Sequence, residues 1–129
     1  MKVKTVSKLK KELDAIFSKY IRLKYSKNGM VACYTCGHLG EVKKMQNGHC
    51  LPRQYLSMRF SEKNCRPQCY ACNMLYGGQV VVFLNKLCDE YGDNFRHELE
   101  QEKWKVTKLD VVDYAIMISK YSKLVESML

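Results

Sequence analysis

Cys33-Tyr34-Thr35-Cys36-Gly37 and Gln68-Cys69-Tyr70-Ala71-Cys72-Asn73 are the stretches that decide how this chain folds. Thirty-two residues separate the two Cys-x-x-Cys pairs. Two such pairs supply four thiolates, the ligand set of a closed tetrahedral structural zinc site. A first pair in a turn between strands and a second pair opening a helix bring Cys33, Cys36, Cys69 and Cys72 to one ion. Gly37 suits a tight knuckle whose backbone amides point at sulfur. The chain has seven cysteines. In a reducing compartment these read as metal ligands or free thiols before they read as disulfides. Cys50, Cys65 and Cys88 are left as small buried hydrophobes or idle thiols. Cys65 could compete with Cys69, but its four-residue step is the poorer match.

Between the pairs lie Asn47-Gly48-His49 and Asn64, and Asn73 follows Cys72 directly. From Cys36 to His49, Asn64 and Asn73 the intervening residues number 12, 14 and 8. His, Asn and Asn in this order inside a four-cysteine frame resemble the HNH (ββα-metal) nucleases. Phosphodiester hydrolysis explains the residue types. A histidine near neutral pH can activate water. A divalent cation neutralises charge developing on the phosphate and leaving oxygen. An amide or carboxylate at a helix start can hold that ion, and a second Asn can tie down the loop carrying the histidine.

The flanking residues sharpen the resemblance. Gly48-His49-x-x-x-Arg53, Arg59-Phe60, Asn64, Gln68-Cys69-x-x-Cys72-Asn73 and Gly77-Gly78, preceded by Cys33-Tyr-Thr-Cys36-Gly37 and a long Lys-rich helix, resemble the phage NinG/Rap recombination endonuclease family. The similarity covers about residues 5 to 115. It implies a DNA endonuclease acting on branched recombination intermediates such as Holliday junctions and D-loops. By position, Cys33, Cys36, Cys69 and Cys72 match zinc ligands, His49 the general base, Asn64 the structural Asn, and Asn73 the residue holding a catalytic Mg²⁺ or Mn²⁺. The residue before the histidine, usually an Asp or His in HNH proteins, is Gly48 here, as in the NinG/Rap pattern. That leaves the carboxylate ligand open among Glu62, Asp89 and Glu90, or replaced by water on Mg²⁺.

Working outward, the net charge of +9 points to nucleic acid. It is unevenly spread. Residues 1–30 hold nine Lys/Arg and two acids, residues 31–78 six and two, residues 79–129 seven and nine. Lys8, Lys10 and Lys11 on the first helix, and Arg53, Arg59, Lys63 and Arg66 around the His–Asn loop, are the candidate DNA-binding residues, with a solvated charged face as the plain alternative. Tyr34, Tyr55 and Tyr76 read first as packing residues and second as surfaces for unpaired bases. His38 and His97 read as surface histidines. The longest unbroken apolar run, Val80–Leu84, is far short of the roughly 20 residues that span a bilayer. The opening Met1-Lys2-Val3-Lys4 has no apolar signal core, so a cytoplasmic protein is expected, in the host cell if phage-encoded.

The element pattern is mixed. Ser7 can cap a helix to about Tyr25, with Leu9, Leu13, Ile16, Phe17, Tyr20 and Ile21 on one stripe. Val31–Cys33 and Glu41–Met45 read as strands, and Leu51–Asn64 as a loop. A helix starts near Tyr70, is broken or kinked at Gly77-Gly78, and runs to Gly92. Asp93 can cap a short helix to about Glu102. Thr107 with Asp110 looks like a capping box for a last helix with Leu109, Val112, Ile116 and Leu124 inward. Trp104 and the Tyr114–Tyr121 stripe read as core.

The expected fold is therefore α+β in one domain: a basic N-terminal helix (1–30), a zinc-bound HNH-like, treble-clef-like core (31–92) and C-terminal helices (93–129). The expected function is metal-dependent, structure-selective cutting of branched double-stranded DNA, with zinc structural and Mg²⁺ or Mn²⁺ catalytic. Paired cuts across a four-way junction need two active sites, so a homodimer is expected, and phage recombination proteins are further partners. No membrane partner is expected. A non-catalytic zinc module that grips branched DNA, and a less selective HNH nicking enzyme, are the competing readings.

Overall fold

Thr5 opens the first helix, α1 (Val6–Lys24): its hydroxyl accepts from the Lys8 amide at 3.2 Å, and its carbonyl takes the Leu9 amide at 3.0 Å. The cap is thus Thr5 and not Ser7, because starting two residues earlier gains helical hydrogen bonds while keeping a capping hydroxyl. The computed structural model describes residues 3–129, so Lys2 of the basic segment lies outside the described residues. Leu9, Leu13, Phe17, Tyr20 and Ile21 are buried along α1, as their spacing requires.

That stripe packs on the last helix, α5 (Val111–Ser127). Phe17 sits edge-on to Phe60 and Tyr121, with ring centroids 5.9 and 5.0 Å apart. Removing such a ring typically costs 3–5 kcal/mol. Tyr114, Tyr121 and Val125 are buried on α5, with Met117, Ile118 and Leu124 beside them. Val112 and Ile116, expected inward, are exposed, because the inward face steps from Tyr114 by threes and fours and leaves them off it. Trp104 is also exposed, lying against Tyr55 instead of entering the core. The capping box of α5 pairs Asp110 with Asp113, each bonding the other's amide at 2.9 Å; Thr107 takes no part.

Two short antiparallel sheets lie beside this helical pair. In the first, β1 (Met30–Ala32) pairs with β2 (Leu39–Glu41), earlier in the chain than the expected 41–45 strand, since residues 42–44 form a tight turn. The second joins β3 (Gln46–His49) to β4 (Cys65–Gln68), with Gly48 opposite Arg66 and His49 opposite Cys65. Asn47-Gly48 suggests a turn in isolation. It lies inside a strand instead, packed so closely that a Cβ at Gly48 would meet Gln68 Oε1 at 2.0 Å, and any larger residue would have to displace that buried side chain. The segment between β3 and β4 is more ordered than a plain loop and contains α2 (Leu56–Arg59) and a turn at Glu62–Asn64.

After β4 the chain makes one wide π-type turn, Ala71–Leu75. Positive φ at Gly77, Gly78 and Gln79 then prevents a right-handed helix from continuing. The break expected at the glycine pair is therefore present, and α3 (Val80–Tyr91) starts afresh beyond it and ends at Gly92. Next comes α4 (Phe95–Lys103), preceded by Asn94 and not Asp93. Phe83, Leu87, Cys88, Phe95 and Leu99 of these two helices make a second core with Cys50 and Met58. A third, smaller cluster of Val31, Cys33, Met45 and Cys72 joins the first sheet to the π turn. Among the described residues no helix is long and apolar enough to cross a membrane.

Candidate metal centre and catalytic cleft

Cys33 and Cys36 leave β1 in a knuckle, and Cys69 and Cys72 enter the π turn. Their sulfurs all lie within 4.8 Å of one another. Zinc–sulfur bonds of about 2.3 Å put tetrahedral sulfurs roughly 3.8 Å apart, and Cys36 Sγ and Cys69 Sγ are 3.7 Å apart. The donor set and its spacing thus fit a structural metal such as zinc. Gly37, at φ +80°, lets the knuckle close, with its amide donating to the Cys33 carbonyl at 2.9 Å. The His38 amide donates to Cys36 Sγ and the Cys72 amide to Cys69 Sγ, at 3.5 and 3.4 Å. Burial alone would raise the Cys33 thiol, but the Thr35 hydroxyl and the surrounding amides outweigh it and bring it down. Burial and the neighbouring thiols push Cys72 up, and against the His38 amide those thiols push Cys36 up too, so one thiolate is favoured in the cluster before a metal enters.

The remaining cysteines separate cleanly. Cys65 sits in the helical core, where burial pushes its thiol far up, so it does not compete with Cys69. Cys50 is held up at about 11, again chiefly by burial. Cys50 and Cys88 both belong to the second core.

A cleft of about 650 Å³ opens between α1, β3 and the π turn. Its walls include His49 and Asn73 together with Asp14, Arg22, Lys43, Gln46, Asn47 and Arg53. His49 Nε2 lies 2.9 Å from the Arg59 carbonyl. A carbonyl only accepts, so Nε2 carries the proton and Nδ1 the lone pair in the neutral ring. Burial lowers the His49 pKa below the ordinary 6.5, and the Arg59 and Asn47 carbonyls and the Asp14 carboxylate oppose that only in part. The ring is therefore neutral, and basic at Nδ1, at neutral pH.

Asn64 is fully buried. Its Oδ1 accepts from the Leu51 amide at 2.8 Å, while its Nδ2 donates to the Leu51 and Met58 carbonyls at 3.0 and 3.1 Å. It thereby ties the chain that leaves His49 to α2. Asn73 donates from Nδ2 to Gln46 Oε1 at 2.6 Å, which turns its own Oδ1 away from that partner.

Asp14 is the carboxylate that sequence reasoning missed. It accepts from Arg59 Nε and Nη2 at 2.9 and 2.5 Å, and Arg53 stands 3.7 Å away. Asp14, Ser18 and Arg22 recur at four-residue steps on α1, so one helical strip lines the cleft. That periodicity is legible in the sequence; the strand it docks against is not. The three carboxylates considered earlier are absent from the cleft walls. Glu62 accepts from Tyr20, Tyr121 and Lys24 on the far side of α1, Glu90 pairs with Arg66 and Tyr34, and Asp89 is exposed on α3.

The candidate DNA-binding residues also separate. Arg53 lines the cleft with an exposed side chain. Lys11 lies on the helical strip of Asp14, with exposed Lys8 and half-buried Lys10 flanking it. Arg59 is engaged by Asp14, and Lys63 lies away from the cleft, over the Tyr91 ring at 5.2 Å. Arg66 is corrected outright: it is 1% exposed, donates to the Glu62 and Cys65 carbonyls and Tyr91 Oη, and pairs with Glu90, so its guanidinium is sealed away from a phosphate. Arg22 and Lys43 take its place in the cleft wall.

No curated protein and no solved structure matches the chain. The family model described as bacteriophage lambda NinG protein matches residues 1–128, nearly the whole chain and both Cys-x-x-Cys pairs. With the four cysteines gathered at one point as the motif requires, the chain belongs to the bacteriophage lambda NinG family.

Proposed function

We propose that this protein is an HNH-type, metal-dependent endonuclease that cuts branched double-stranded DNA, including Holliday junctions and D-loops, as a homodimer working beside other phage recombination proteins. The observation that carries the reading is His49 in the cleft wall, with its Nε2 2.9 Å from the Arg59 carbonyl. Nε2–H donates to the Arg59 carbonyl, which leaves Nδ1 as the basic nitrogen of a ring in the wall of a cleft that also carries Asp14, Arg22, Lys43, Arg53 and Asn73. The strand–loop–strand–turn order of β3, α2, β4 and the π turn, with His49 ending β3 and Asn73 in the turn, is the order a ββα-metal site needs.

His49 takes a proton from the attacking water, and the resulting imidazolium is steadied by the Arg59 carbonyl and the nearby Asp14 carboxylate. Asn64 holds the loop that aims the ring. Arg53, Arg22 and Lys43 hold the phosphate backbone, and Lys8, Lys10 and Lys11 extend that contact along α1. Asn73 Oδ1, a hard oxygen donor in the cleft wall, would help hold Mg²⁺ or Mn²⁺, with water completing the shell. Such an ion supplies charge neutralisation at the scissile phosphate.

Incubation of four-way junctions and matched linear duplexes with and without Mg²⁺ tests the reading. Cutting of the junction by the parent, and its loss by 10²–10⁴-fold in His49→Ala with binding retained, is the expected result. A second reading, a DNA-gripping module that does not cut, draws on Gly48, where the usual ligand is missing and a side chain has no room. Intact strands in every condition with bound, pure parent protein would establish that reading instead.

A further inference from the structure

The segment that gives Asn73, Met74, Gly77, Gly78 and Val80 to the cleft is chemically unlike the rest of the molecule. From Pro67 to Asn85 there are 19 residues without a charged side chain, in a chain that is 27% charged. Inside this run Met74, Leu75 and Tyr76 are consecutive, large and 59%, 63% and 63% exposed. Single exposed apolar residues need no explanation, but a contiguous group does. The group is also held still. The π turn that bears it is closed by the Tyr76 amide on the Ala71 carbonyl at 2.9 Å, anchored behind by Cys72 in the metal cluster, and followed by Gly78, whose carbonyl accepts from buried Gln68 Nε2 at 2.8 Å. Met74 itself lines the cleft, facing the same space as His49, Arg53 and Lys43.

We propose that Met74, Leu75 and Tyr76 form an apolar lip that receives the unstacked bases at the centre of a branched DNA, while the cations of the cleft hold its backbone. This rests on the function proposed above and adds the residues that select the branch. Cations beside an uncharged apolar lip match the two chemistries of a nucleotide strand: the phosphates are anionic and every base has an apolar face. Branch points offer bases without a full stacking partner, whereas a linear duplex must first be unstacked at a cost of a few kcal/mol per step. Tyr76 and Tyr70 are the exposed rings of this uncharged run, and Tyr76 is the one that directly follows Met74 and Leu75. Tyr34 is packed on Phe83 at 5.3 Å and bonded to Glu90, and Tyr55 rests on Trp104 at 6.3 Å. A lip already fixed in place loses little conformational freedom on binding, which favours affinity.

The test compares the affinities of full-length parent and Met74→Ala/Tyr76→Ala protein for a four-way junction and a linear duplex of the same sequence. No Mg²⁺ or Mn²⁺ is added, so binding is read whether or not the protein cuts. Junction affinity should fall about fivefold or more, the loss expected for one base–aromatic stack, while duplex affinity stays within about twofold. Tyr76→Phe, which keeps the ring, should retain the junction preference, and Arg53→Gln should weaken both substrates alike. A junction-to-duplex ratio unchanged by the double substitution overturns the lip, as does a parent without any preference. A parent that sediments as a dimer and becomes monomeric in the double variant, with the ratio unchanged, overturns it too, assigning the patch to contact between copies of this chain. Loss of cutting in His49→Ala bears on the nuclease reading alone and leaves this comparison standing.

Discussion

At the scale of single residues, His49 is the most informative side chain, because its burial and the carbonyls beside it act in opposite directions on its charge. Burial disfavours the imidazolium more than the Arg59 carbonyl favours it, so the pKa falls below 6.5. The base form is the neutral ring. On the proposed function, the lowered pKa extends activity toward acid, so the acidic limb of the cleavage profile should be centred below 6.5. A pH–rate profile under single-turnover conditions checks this, and an acidic limb centred above 6.5 would contradict it. Gly48 explains its own neighbourhood in a similar way. The Gln68 side chain occupies the volume that an aspartate would need, so the carboxylate nearest His49 comes from Asp14 on a different element.

At the scale of elements, the contact of α1 with the β3–α2 loop matters most. Asp14 grips the Arg59 side chain, and the Arg59 carbonyl holds His49. The N-terminal helix is thereby connected to His49 through two hydrogen-bonded steps. Asp14→Ala leaves a largely buried guanidinium unpaired and should lower stability by about 1–3 kcal/mol. It should also slow cutting more than the lost stability explains, measured at a temperature where both proteins are fully folded by circular dichroism. The outer face of α1 is addressed by salt. Changing Lys8, Lys10 and Lys11 to Gln should flatten the log–log dependence of DNA affinity on salt by up to about one unit per lost phosphate contact. An unchanged slope and affinity would make that face ordinary solvated surface.

At the scale of the whole molecule, three small cores share the work, and the smallest contains two of the four clustered cysteines. Val31, Met45, Cys33 and Cys72 bury too little apolar surface to hold the first sheet and the π turn unaided. Structural zinc contributes roughly 10–16 kcal/mol of apparent binding free energy in zinc-finger peptides, comparable to the 5–15 kcal/mol of a whole domain. Cys69→Ser, or removal of the metal by a chelator, should therefore unfold the centre of the chain and with it the wall that carries Asn73. The helical pair α1 and α5, which has its own aromatic core, should persist as residual helicity by far-UV circular dichroism. Elemental analysis that finds no zinc in folded protein would refute the metal assignment.

The two Cys-x-x-Cys pairs, the stripe of α1, the stop at Gly77-Gly78 and the cap at Gly92 were legible from residues alone, because each depends on near neighbours: ligand spacing, helical period, or a φ that only glycine accepts readily. The family was legible for the same reason, its motif being local and dense. Other features depended on distant partners. The β3–β4 pairing stayed hidden because four-residue strands of Gln-Asn-Gly-His and Cys-Arg-Pro-Gln lack the alternation that marks a strand. The inward face of α5 was misplaced at Val112 and Ile116 because an apolar residue does not announce which side its neighbour helix will take. Arg66 reads as a phosphate ligand in sequence and is instead sealed beneath Tyr25, Tyr34 and Tyr91, since charge is a property of the residue but burial is a property of the fold. Asp14 and Arg22 belong to the cleft only because α1 lies across β3, 24 to 35 positions away in the chain. Ligand type and helical period were thus determined by the sequence itself; which charges meet the cleft and which are buried was decided by tertiary packing, because those contacts join residues that no local pattern connects.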